Sequence, residues 1–206
     1  MTPEKKRKIA KALSLIVSIA GITVITGWIF NISILKSISP HWVSMKFDTA
    51  VAFVLSGISL YFIARAVEGE FDKALVVLSI TSLIIMLLMG ILFFSTLLGV
   101  RTGAEELFIK DTSITKTVTP GQPSIPTMFN FVLIATAGIF TMFNSEKLQL
   151  QLRIIGLAVG IIGALAVFGY IINAPLLYYF LEGINSAMAC HTAVLFVLLG
   201  TGLLCL

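Results

Sequence analysis

Long uncharged apolar stretches alternate with short polar breaks along the whole chain. Ala12 to Leu35, Thr49 to Ala64, Ala74 to Val100, Thr117 to Ser145, Ile154 to Leu181 and Gly183 to Leu206 contain no Asp, Glu, Lys or Arg. A helix needs about 20 mostly apolar residues to cross the hydrocarbon core of a bilayer. The six runs therefore predict six spans, at about residues 10–31, 48–66, 73–98, 126–144, 152–174 and 187–206. The second run has only 16 uncharged residues, and Arg65 extends it because its long stem can snorkel to the interface. A transmembrane barrel would show short alternating segments instead of long continuous ones.

Composition agrees with this reading. Of the 206 residues 58% are hydrophobic and only 12% are charged, and the mean hydropathy is +1.04. A soluble domain carries about 25% charged residues because its surface faces water. Here the surface must face lipid. Lys5-Lys6-Arg7-Lys8 precedes the first apolar run, but that run is too long for a signal-peptide core and shows no convincing small-x-small cleavage site. It is read as a retained first span.

Charge sets the orientation. With the amino terminus inside, Lys5, Lys6, Arg7, Lys8, Lys11, Arg65, Lys73, Lys147 and Arg153 fall on the cytoplasmic side. Lys36, Lys46, Arg101, Lys110 and Lys116 fall outside. The positive-inside rule then predicts a multi-pass protein of the cell membrane with both termini cytoplasmic. The net charge of +4 is accounted for by these flanks, so no nucleic-acid partner is expected. The cytoplasmic loops, around 67–72 and 145–151, are short. The outer connections, 32–47, 99–125 and 175–186, are long and hold Pro40 and Trp42, then Glu105, Glu106, Asp111, Pro120 and Pro123, then Pro175, Tyr178, Tyr179 and Phe180. Segments of this kind fold back as caps over a bundle, and their aromatic groups suit the interface.

A repeat runs through the chain. Met45-Lys46-Phe47-Asp48-Thr49-Ala50-Val51-Ala52-Phe53 continues to Gly57, and Met188-Ala189-Cys190-His191-Thr192-Ala193-Val194-Leu195-Phe196 continues to Gly200. Met, Thr-Ala-Val, Phe-Val-Leu and Gly recur at the same spacing. Pro126-Thr127-Met128-Phe129-Asn130-Phe131-Val132-Leu133 is a weaker third copy. The odd spans echo each other at Gly27-Trp28-Ile29-Phe30-Asn31, Gly90-Ile91-Leu92-Phe93-Phe94 and Gly169-Tyr170-Ile171-Ile172-Asn173. From glycine to repeat threonine is 22, 37 and 23 residues, so the middle unit carries an insertion. The expected fold is all-α: one membrane domain over 1–206, a polytopic bundle of six transmembrane helices built as three parallel helical-hairpin repeats at about 10–66, 73–144 and 152–206. Parallel repeats imply a pseudo-threefold axis along the membrane normal.

Asp48, Thr49, Thr127, His191 and Thr192 fall at the outer ends of the even helices. Their first expected role is capping. Pro126 fits a first turn, where no N–H is needed. The sharper reading brings three positive helix ends to one outer ligand-binding cavity. Met45, Met128, Met188, Cys190, His41 and His191 are soft or borderline ligands near that face, but no dense His or Cys pair sits at ligand spacing, so neither a metal nor a cofactor is assigned. Cys190 and Cys205 lie fifteen residues apart on one helix, roughly 22 Å, beyond disulfide reach. Gly156-x-x-x-Gly160 allows close helix approach, within the bundle or in a homodimer. Asn130 and Asn173 are expected to hydrogen-bond between helices. No span holds paired carboxylates, and there is no phosphate loop, nucleophile elbow or His-Glu-x-x-His, so no catalytic residue is expected.

Met-x-x-[Asp/Asn/His]-Thr-Ala-x-x-Phe-x-x-x-Gly, at Met45 to Gly57 and Met188 to Gly200 with a degenerate copy at Pro126 to Ala135, resembles the multi-span sensor domains of the MASE kind. Those domains stand at the amino termini of membrane histidine kinases and diguanylate cyclases. The resemblance implies a signal-input domain that is not itself an enzyme and that relays to a cytoplasmic PAS, kinase or cyclase module beyond residue 206. A small-solute transporter or channel, and an accessory subunit of a membrane complex, are the alternative readings.

Overall fold

A computed structural model describes residues 2–39, 42–100, 102–103, 107–109, 120–179 and 186–206. Pro40, His41, Arg101, Glu105, Glu106, Lys110, Asp111, Lys116 and Phe180 lie outside the described residues. The elements are α1 (Pro3–Ile29), α2 (Ser33–Lys36), α3 (Phe47–Val67), α4 (Phe71–Leu97), α5 (Ile125–Met142), α6 (Leu148–Ile171), a 3-10 turn (Pro175–Tyr178) and α7 (Cys190–Leu204). No strand occurs among the described residues. Five helices, α1, α3, α4, α5 and α6, are long and apolar enough to cross a membrane. The apolar α7 has 15 residues, a rise of roughly 22 Å, and falls short of that length.

Local chemistry explains where the helices begin and end. Thr2 caps α1 by accepting the Lys5 N–H at 3.4 Å; Pro3 follows in the first turn, and Glu4 faces the positive helix end. Five helices stop at a left-handed residue: Asn31 (φ 55°), Gly69 (101°), Gly99 (65°), Asn144 (45°) and Asn173 (53°). Four of these stops close by the same six-residue hydrogen bond, which satisfies an orphan carbonyl. The donors are Ile32 N–H to Gly27 O at 2.8 Å, Glu70 to Arg65 at 3.1 Å, Val100 to Ser95 at 2.9 Å and Ala174 to Gly169 at 2.8 Å. Asn173 is therefore a helix terminator on the surface, and the interhelical bond expected of it is not its role.

The helices run up and down, so one end gathers the basic flanks and the other the repeat threonines. At the basic end Glu68, in the α3–α4 turn, pairs with Lys11 at 2.5 Å and Arg7 at 3.7 Å, and Arg65 pairs with Glu70. Half of the apolar stretch of α3 and of α5 is buried inside the protein, against 28–33% for α1, α4 and α6. The inner helices meet at Phe53 of α3, Phe131 of α5 and Phe196 of α7, all fully buried. Their ring centroids form a near-equilateral triangle with sides of 4.8, 4.9 and 4.9 Å. The outer helices keep isoleucine, leucine and phenylalanine on their exposed faces. Between lipid-facing helices burial of apolar area gives little, so close packing of small residues has to hold the bundle.

The first and last thirds make matching contacts. Trp28 Nε1–H donates to Met45 O at 2.9 Å, and the Tyr170 hydroxyl donates to Met188 O at 2.8 Å. Met45 N–H donates to Lys36 O at 2.9 Å, and Met188 N–H to Tyr178 O at 3.0 Å. The connections fold back, α2 setting Leu35 on Gly27 and the 3-10 turn setting Leu177 on Gly169. A Cβ at either glycine would lie 2.6 Å from that leucine's Cβ. In the middle third the helix-end position belongs to Ser95, not to Gly90, where, chain neighbours and local helix backbone aside, a would-be Cβ comes no closer than 4.0 Å to any atom, that atom being Met86 Sδ of the same helix. The glycine spacing read from the sequence is out of register there. Tyr178 is also not an interface residue: it is 1% exposed and stacks on Tyr170 with centroids 4.3 Å apart.

Candidate functional site

The first turns of α3, α5 and α7 hold the predicted cluster in matching places. Phe47, Ile125 and Cys190 open the three helices, so Thr49, Thr127 and Thr192 are each the third residue. They are not the caps expected of them. The cap positions are Lys46, Ser124 and Ala189, and none makes a side-chain cap bond. The reason is geometric: the helices begin two residues before the threonines, which turns the hydroxyls inward.

All three threonines are buried and line one cavity, together with Lys46, Gln122, Ser124 and Ala189. The cavity is about 10 Å³, room for about one water molecule. On its wall the Ser124 and Thr127 hydroxyls are 2.7 Å apart and share a hydrogen bond. The first turns of three helices border this space, so a water or small polar group there lies beside positive dipole ends and hydroxyls. One turn below it lies the phenylalanine triangle, which fills the axis.

Asp48 and His191 are not part of this cavity. Asp48 is buried beside Thr49 without lining it. His191 lines a different groove, between α1, α2 and α7, of about 400 Å³. The expected five-residue cluster is thus a three-residue cluster with two neighbours facing elsewhere. At 100° per residue, adjacent positions on a helix cannot share a face.

Sequence reasoning missed Lys46, Ser124 and the phenylalanines as companions of the threonines. A signal for the rings was present, because each follows its threonine by four residues, one helical turn. Met45, Met128 and Met188 are buried in the core as packing residues. No group of three His, Cys, Asp or Glu side chains comes together among the described residues. Gly156 and Gly160 are spent within the chain: a Cβ at Gly200 of α7 would lie 2.6 Å from Gly156 O and 2.7 Å from Gly160 Cα. Asn130 is fully buried with neither amide atom hydrogen-bonded among the described residues, so the interhelical bond expected of it is not made there.

Fold and site together define an all-helical protein with the make-up of a membrane bundle, its inner helices converging on a buried threonine cavity. No family model, curated protein or solved structure matches the chain.

Proposed function

We propose that the chain is a signal-input domain of the cell membrane. Three parallel hairpins, α1 with α3, α4 with α5 and α6 with α7, form six spans around a pseudo-threefold axis, with both termini in the cytoplasm. The threonine end faces outward. A ligand or membrane condition acting there biases two packings of the inner helices, and α7 carries the difference to an output module beyond Leu206. Such a bias requires unequal affinity for the two packings.

The observation that carries the reading is the convergence of α3, α5 and α7 on one cavity and one ring triangle. A displacement of any one inner helix at the threonines must move the other two, because their rings are in contact. The matching contacts of the first and last hairpins support the repeat. The same rings weigh against a solute transporter, since a passage along the axis would have to open through three packed phenylalanines. The paired charges at Glu68 and the basic cluster of α1 support a cytoplasmic amino terminus.

Reading the transcript past codon 206 tests the relay. An in-frame kinase, cyclase or PAS region is expected to continue from α7, and a stop codon there overturns the relay. Cysteine scanning tests the orientation: a cysteine at Ser39 should react with an impermeant maleimide added to intact cells, and one at Thr2 should not.

A further inference from the structure

The groove that holds His191 is a built site with one polar group to offer. Its walls come from α1 (Ala20, Thr23), α2 with its flanks (Ile34, Leu35) and α7 (His191, Val194). The volume of about 400 Å³ falls within the range of small-molecule sites, roughly 300–1,000 Å³. The walls are apolar except for Thr23 and His191. The Thr23 hydroxyl is already committed, donating to Ile19 O at 2.9 Å. Both ring nitrogens of His191 are buried, and neither has a hydrogen-bond partner among the described residues. A buried polar group without a partner is costly, and a native structure keeps one where something else satisfies it.

The opening faces sideways. Ile34 and Val194 at the groove are exposed, and on α1 the neighbouring Ile19 and Ile22 are exposed as well. In the membrane reading this is the lipid-facing surface. A molecule reaching His191 therefore arrives from the bilayer. It needs an apolar body to match the walls and an oxygen to meet the imidazole. A neutral imidazole offers one N–H donor and one lone-pair acceptor, and a carbonyl, carboxyl or hydroxyl head pairs with it once the ring turns its nitrogens, closed off in this structure, toward the groove.

We infer that the groove between α1, α2 and α7 binds a membrane-soluble amphiphile, a hydrocarbon body with a hydrogen-bonding oxygen head placed on His191. An isoprenoid quinone and a long-chain fatty acid share this chemistry. The site stands apart from the threonine cavity and does not depend on the signalling role.

The test uses the whole chain in phosphatidylcholine nanodiscs, with ¹⁵N-labelled histidine. The chain has two histidines, and His191→Phe assigns the ring signals. A short-chain quinone is titrated in one arm and palmitate in the other. A saturable shift of the His191 nitrogens at one ligand per chain is expected in at least one arm, and the arm that responds identifies the source. Val194→Trp narrows the groove from an exposed position and should weaken binding at least tenfold. Glu70→Gln, at the opposite end of the bundle, should leave it within twofold. The inference is overturned if the His191 signals stay put in both arms, or if Val194→Trp binds as the unaltered protein does.

Discussion

His191 and Thr192 are neighbours on α7, yet they belong to two different environments. Thr192 points to the axis, into a small cavity with room for about one water, bordered by hydroxyls and helix amino termini. His191 points to a groove some forty times larger in its 400 Å³ against 10 Å³, apolar, and open to the side. At the axis the Ser124 and Thr127 hydroxyls are bonded to each other. The groove is where a polar group has been left without a partner among the described residues. One angular step of a helix separates the two, and that step decides which residue can report on packing and which can meet a molecule from the bilayer.

The largest effect belongs to the rings. Phe131→Ala should destabilise the protein most, by about 2–4 kcal/mol, from a cavity of roughly 100 Å³ and two lost aromatic pairs. No water-transfer penalty adds to this, because lipid is as apolar as the core. Thermal unfolding in detergent measures this, and a midpoint equal to the unaltered protein would mean that the triangle carries no packing load. Next comes Thr127→Val, which keeps the shape and strands the Ser124 hydroxyl, for a loss of about 1–3 kcal/mol by the same assay.

His191→Leu should have the opposite sign. It removes two unpartnered nitrogens, so stability in ligand-free detergent should rise by up to ~1 kcal/mol. A loss as large as that of Thr127→Val would place His191 in a polar network like that of the axis and erase the contrast.

The smallest effect is at the far end of the bundle. The Arg65 guanidinium, by its hydrogen bond, holds the Glu70 carboxyl below its ordinary value near 4.5. A depressed carboxyl contributes stability above its unfolded value, lost as pH falls through the folded one. Glu70→Gln should therefore differ slightly from the unaltered protein at neutral pH, and the two should converge in acid below both values. Because the pair is exposed, salt should shrink the difference.

Much of the fold was legible along the chain. The uncharged runs placed all five long helices, because a bilayer demands uninterrupted apolar length and no soluble core does. Helix ends were less legible: Asn31, Gly69, Gly99, Asn144 and Asn173 are residue types that tolerate a left-handed stop, yet the run of apolar positions did not single them out as stops, and Asn173 read as an interhelical partner. The three repeat threonines were found at matching places. Their companions were not, because Lys46 and Ser124 meet the others only across helices far apart in the sequence.

What the sequence determined by itself was the class of solvent the protein lives in and the approximate lengths of its long helices, since each follows from neighbours along the chain. The tertiary structure decided which face of each helix turns inward. In lipid the apolar pattern is nearly uniform around a helix, so no polar side marks the outside, and orientation rests on close contacts such as Gly200 on Gly156 and Phe53 on Phe131 and Phe196. That choice of face, invisible in a one-dimensional pattern, sent Thr192 to the axis and His191 to the groove.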